Sequence, residues 1–173
     1  MLDIRHVQDD AGVRRNPPEA KPETGRHSEA RIRTWTQFKP PPHAAVIVDG
    51  GNFRVQIFDR NGRYLQSFGT AGKQLGTFAR PKEVATDREG NVYVVDAAFG
   101  NFQIFNPEGE LLLFVGDRSE RDGPAKYMLP SGIAVDEDGR IYMVDQWFRK
   151  IEVYRPASLK LDAGFLRPRT SAR

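Results

Sequence analysis

The chain repeats itself in register. Ile47-Val48-Asp49 returns as Val94-Val95-Asp96 and again as Met143-Val144-Asp145, at spacings of 47 and 49 residues. Val55-Gln56-Ile57-Phe58 returns as Phe102-Gln103-Ile104-Phe105 and as Ile151-Glu152-Val153-Tyr154 at the same spacings. Arg80-Pro81-x-x-Val84-Ala85-Thr86-Asp87-x-x-Gly90 is answered by Leu129-Pro130-x-x-Ile133-Ala134-Val135-Asp136-x-x-Gly139, and Gly62, Leu65 and Gly69 by Gly109, Leu112 and Gly116. Four blocks holding one register, with a period in the forties, restrict the fold to a propeller or an array of stacked units.

Each unit holds four short β-rich runs separated by turn chemistry. In the middle unit these are Lys82–Asp87, Asn91–Asp96, Phe102–Phe105 and Leu111–Val115. Val92–Val95 and Ile141–Val144 are apolar throughout instead of alternating, as strands covered on both faces are. No run reaches helical length without a Gly or Pro. The expected fold is all-β: a partial β-propeller of four-stranded antiparallel blades. The sequence supplies strands two to four of one blade, one complete blade, and strands one to three of another.

Charge and proline set the domain limits. Residues 1–43 carry half of the 12 prolines and a net charge of +2; they read as a disordered Pro-rich arm, with one short helix around Ser28–Thr34. Residues 44–154 are the repeat region, with 13 Lys/Arg against 16 Asp/Glu. Residues 155–173 form a basic tail of net +4. The absence of cysteine excludes disulfide frameworks, thiolate metal sites and cysteine nucleophiles. The three histidines all precede Ala44, so the repeat region has none. No apolar run is long enough for a membrane span and the N-terminus lacks the apolar core of a secretory signal, which makes cytoplasmic the default compartment.

The pattern P-x-x-[IV]-A-[VT]-D-x-x-G-[NR]-[VI]-Y-[VM]-V-D followed by [VI]-[QE]-[IV]-[FY] resembles the NHL repeat of six-bladed β-propellers, including bacterial ones. The resemblance covers about two thirds of the chain. It implies the propeller fold and leaves function open, since such propellers occur in ubiquitin-ligase-linked and RNA-binding proteins, exported bacterial proteins and an amidating lyase. The family places Asn and Arg three and five residues after the second Asp. Asn52 and Arg54 match, whereas the later units have Phe99 with Asn101 and Phe148 with Lys150.

Asp49, Asp96 and Asp145 recur at one position, which points to carboxylates that fix a turn by accepting backbone N–H groups. Arg54 is expected to pair with Asp49 or a neighbouring blade. Asp87 and Asp136 open Asp-x-x-Gly hairpin turns; Asp136-Glu137-Asp138-Gly139 lacks the ligands of a calcium loop. Gly69–Lys73 lacks the spacing of a phosphate loop and reads as a blade-linking turn. No metal or cofactor is expected.

Phe99 and Trp147-Phe148 occupy turns where Gly, Asn and Asp are usual. They either cap the inter-blade core or contact a partner. In an up-and-down blade the two-to-three turns and the links emerge on one face. That face carries a net +4, and the opposite face a net −5. The expected partner surface is therefore Phe99, Asn101, Trp147, Phe148, Arg149 and Lys150. The leading function is a non-catalytic binding or scaffold module for a protein or peptide. The alternatives are a fragment of a lyase or lactonase-like propeller enzyme, and an RNA-binding propeller, which the acidic repeat region disfavours. The uncovered outer blades predict head-to-tail self-association, with a second copy closing the ring.

Overall fold

The computed structural model describes residues 44–159 and the backbone of two short strands, Ile4–His6 and Val13–Arg15. Numbered in chain order, these two are β1 and β2. The first repeat sheet is β3 (Ala45–Asp49), β4 (Arg54–Phe58) and β5 (Tyr64–Phe68), all antiparallel. The second sheet is the complete blade β6 (Pro81–Thr86), β7 (Val92–Asp96), β8 (Asn101–Phe105) and β9 (Leu111–Val115). After a small parallel pair, β10 (Asp117–Arg118) with β11 (Lys126–Tyr127), comes the third sheet: β12 (Pro130–Val135), β13 (Ile141–Asp145) and β14 (Lys150–Pro156). The sheets therefore divide the repeat region three, four and three, as the repeat register requires.

Two features depart from the sequence reading. β1 pairs antiparallel with β14 and supplies the fourth strand of the third sheet; β2 pairs antiparallel with β9 and gives the second sheet a fifth. A Pro-rich arm without structure was expected, and these six residues are strands instead, because β14 and β9 each present an unpaired backbone edge. The rest of residues 1–43, including Ser28–Thr34, lies outside the described residues. So do residues 160–173, while β14 runs two residues into the basic tail.

The core lies between the sheets. One cluster joins Val55 of the first sheet to Val92, Val94 and Phe105 of the second, with Phe78 of the linker inserted between them. Phe78 is fully buried and meets Phe105 edge-on at 5.5 Å. The other cluster joins Phe102 and Ile104 of the second sheet to Ile141, Met143 and Tyr154 of the third, with Tyr127 of the next linker inserted. Each linker thus drives one aromatic side chain into the seam it crosses, and full burial of a Phe-sized side chain contributes roughly 1.5–3 kcal/mol. β7 is buried over its whole length, which explains its unbroken apolar run.

Candidate functional site

The turns after β7 and β13 are built on a buried carboxylate. Asp96 accepts the linker N–H groups of Ala79 (2.8 Å) and Arg80 (3.0 Å), and those of Ala98 (2.9 Å) and Phe99 (3.2 Å) in its own turn. Asp145 does the same for Met128 (2.9 Å), Leu129 (3.0 Å) and Phe148 (2.8 Å). Both are completely buried. Asp49, at the equivalent place in the first sheet, accepts Asn52 Nδ2 and Arg54 Nε (2.9 Å) instead. The Asn52 amide and the Arg54 guanidinium hold its carboxyl below the ordinary range. Asn and Arg at those positions thus occupy the carboxylate of the sheet that no linker enters among the described residues.

The six residues expected to form a partner surface divide into two groups. Asn101 is buried, and its Oδ1 has no hydrogen-bond partner among the described residues. Lys150 is also drawn inward. Its Nζ donates to Asp122 Oδ1 (2.8 Å), the Gly123 carbonyl (2.8 Å) and Glu152 Oε1 (2.9 Å), and lies over the Tyr127 and Phe148 rings. An ammonium with its three donors used inside the fold does not reach out to a partner. The placement of Lys150 and Asn101 on the surface is corrected accordingly.

Trp147 is 62% exposed, and Arg149 beside it is exposed. Phe99 and Phe148 are half-buried at the same turn position. The inward-capping alternative therefore fails for Trp147. Arg149 adopts a left-handed backbone at φ 54°, as Phe53 does at the equivalent position. Asp145 holds the base of this turn through the Phe148 N–H.

Beneath that turn is a polar cluster missed by the sequence reading. Glu152 Oε2 accepts from the Tyr127 hydroxyl, the Tyr154 hydroxyl (2.8 Å) and the Ala125 N–H (3.2 Å). Burial, the nearby charge of Glu152 and hydrogen bonding push the Tyr127 hydroxyl far above its usual pKa; burial does the same to Tyr154. Gln103, the counterpart of Glu152, holds the other linker: Oε1 accepts the Gly76 N–H at 2.7 Å and Nε2 donates to the Thr77 carbonyl at 3.0 Å. The recurring Gln/Glu of the [VI]-[QE]-[IV]-[FY] block was the available signal.

On the opposite face Asp87 Oδ1 accepts the Glu89 and Asn91 N–H groups, and Asp136 Oδ1 those of Asp138 and Arg140, each at 2.9 Å. The Tyr93 and Tyr142 hydroxyls brace the same two carboxylates. These hairpins, with Pro156–Ser158, line an acidic cavity of about 850 Å³ bridged by Arg88 and Glu137 at 2.7 Å. The Arg140 guanidinium binds both Asp136 and Asp138, filling the place a cation would take. Among the described residues no group of acidic or His side chains has the arrangement of a metal site, and no helix is long and apolar enough to cross a membrane.

Blades of this construction, joined by carboxylate-anchored linkers, define a β-propeller fragment. The chain is 33% identical over 85 residues to Protein brain tumor of Drosophila melanogaster, covering 44% of this chain and 8% of that protein. It is 32% identical over 77 residues to the E3 ubiquitin-protein ligase NHLRC1 of Rattus norvegicus, covering 44% of this chain and 19% of that one. Among solved structures, a protein of unknown function from Bacteroides thetaiotaomicron superimposes with a TM-score of 0.54 at 21% identity, over 65% of this chain and 32% of that chain. No family model matches. The chain carries an NHL-like β-propeller fragment and spans less than a fifth of the curated relatives' length.

Proposed function

We propose that this propeller fragment is a non-catalytic docking module for a protein or peptide, and that the turn carrying Trp147 and Arg149 is its contact point. The observation that carries the reading is the exposure of Trp147 on a turn whose base is fixed by Asp145 and Lys150. An exposed indole beside an exposed guanidinium, on a rigid support, has the composition of an interface hot spot. The absence of His and Cys from residues 44–154 favours binding over catalysis. Arg149 and the nearby exposed Arg121 favour an acidic segment with an apolar anchor.

The test is selection of peptides from a random library displayed against the full chain. The expected peptides are rich in Asp and Glu around one large apolar residue, and bind a Trp147→Ala/Arg149→Ala variant at least ~10-fold more weakly. Equal binding to both proteins overturns the reading. Binding of a single-stranded RNA of random sequence, lost in the same variant, would move the assignment to RNA, the class that stacking aromatics and cations also serve.

A further inference from the structure

The two ends of the sheet array are complementary. Ile47 of β3 is 49% exposed and Ile151 of β14 is 65% exposed. Their repeat counterparts are buried against one another: Val94 with Val55 at the first seam, Met143 with Phe102 at the second. Ile47 corresponds to Val94 and Met143, and Ile151 to Val55 and Phe102. Each end therefore presents one half of a seam that occurs twice inside the chain.

The first sheet is also prepared for a linker. Asp49 corresponds to Asp96 and Asp145, and Gln56 to Gln103 and Glu152; those four counterparts each grip an incoming linker, whereas Asp49 holds Asn52 and Arg54, which leaves its Oδ1 with one donor. Among the described residues no linker reaches Asp49, no hydrogen bond engages the Gln56 amide, and no strand pairs with the free edge of β3. The two gripped linkers read aromatic-x-x-Pro, Phe78-Ala79-Arg80-Pro81 and Tyr127-Met128-Leu129-Pro130, and each Pro opens a six-residue strand. The same pattern stands at Phe165-Leu166-Arg167-Pro168, outside the described residues and followed by Arg169–Arg173.

We propose that residues 165–173 of one copy enter the first sheet of a second copy, Phe165 filling the seam, the Leu166 and Arg167 N–H groups meeting Asp49, and Pro168–Arg173 pairing with β3 as its missing innermost strand. Done reciprocally, this closes two chains head to tail. Each copy then has ten repeat strands, β1 beside β14, β2 beside β9, and the donated strand; two copies make six blades, four-stranded except that β2 adds a fifth, outermost strand to each central one. Ser171 stands where Val84 and Ile133 stand, so the donated strand is held by its linker more than by its own apolar side chain.

The chain's own Phe38-Lys39-Pro40-Pro41 is a poorer occupant. Pro40 has no N–H where Arg80 and Leu129 donate to the carboxylate. Three residues between Pro41 and Ala45 are also too few to run a strand beside β3 and turn back, where Pro81 and Val92 are separated by ten.

The proposal is independent of the Trp147 turn and is tested on the full chain. Light scattering on a size-exclusion column should give twice the 19.6 kDa chain mass, and Phe165→Glu should weaken the dimer at least ~10-fold, the loss of a hot-spot anchor. The chain lacks cysteine, so Ile47→Cys and Ile151→Cys copies can be mixed and treated with a short bis-maleimide. The mixture should yield several-fold more covalent dimer than either copy alone. If Phe165→Glu fails to fold, a peptide of residues 162–173 should bind and stabilise a chain ending at residue 161, and its Phe165→Glu form should not. A monomeric full chain, a dimer and cross-link indifferent to Phe165, or a 162–173 peptide that does not bind the shortened chain each overturns the proposal.

Discussion

The Lys150 ammonium and the Glu152 carboxylate meet at 2.9 Å, two residues apart on β14, with both side chains directed into the seam between the second and third sheets. They face the same way because alternate residues of a strand share a face. Glu152 carries the linker through Ala125 and Tyr127, and Lys150 carries the linker loop through Asp122 and Gly123. Glu152→Leu would take one of three acceptors from the half-buried Lys150 ammonium, remove the shared carboxylate acceptor of two buried tyrosine hydroxyls and leave the Ala125 N–H without its partner, and should destabilise the fold by about 3 kcal/mol. Glu152→Gln, which restores the chemistry of Gln103, should cost less than half of that. Urea unfolding of the two variants checks the difference.

Trp147 should report its exposure directly. With Trp35→Phe leaving a single indole, emission should be that of a water-exposed tryptophan and readily quenched by iodide. Trp147→Ala should change stability by less than about 0.5 kcal/mol, as substitutions away from packed sites do. A blue-shifted, iodide-resistant emission would mean that the side chain folds over the seam.

Asp136 sets an acid-side dependence. Burial alone would raise its pKa, but the Arg140 N–H and guanidinium, the Tyr142 hydroxyl and the Asp138 N–H outweigh it and hold the carboxyl below the ordinary 3.8. A lowered native pKa means that the unfolded chain binds the proton more readily. This contribution is fully present above 3.8 and is lost as pH falls through the lower native value. Thermal unfolding followed from about pH 5 down to about pH 2 should fall less steeply for Asp136→Asn than for the natural chain, after a loss of about 1 kcal/mol at neutral pH.

Gly100 tests the packing of turn against linker. It has φ 67°, and a Cβ there would lie 2.4 Å from the Arg118 Cα. The same turn position holds Phe53 and Arg149 in the other sheets, so the left-handed backbone itself accepts a side chain. What excludes one at Gly100 is the β10 backbone beside it. Gly100→Ala should therefore cost about 2 kcal/mol or more, combining left-handed strain with displacement of a linker, and melting temperature would reveal it.

The repeat register carried the sheet plan because it is written in local chemistry. Asp-x-x-Gly turns, Pro-opened strands and unbroken apolar runs such as Val92–Val95 each specify one strand or turn, and their recurrence multiplies the signal. The role of Asp96 and Asp145 was legible for the same reason, since every seam needs a carboxylate for its linker N–H groups. The tertiary structure alone separated Trp147 from Lys150. Both belong to one aromatic turn on the face whose turns and links carry net positive charge, yet one faces water and the other is enclosed by Asp122, Gly123 and Glu152. That division depends on the path of the linker, which brings residues 122–127 across from β14, and no spacing along the chain encodes that approach. β1 and β2 were hidden likewise, because an edge strand three residues long is chosen by the unpaired backbone it meets and not by its own side chains.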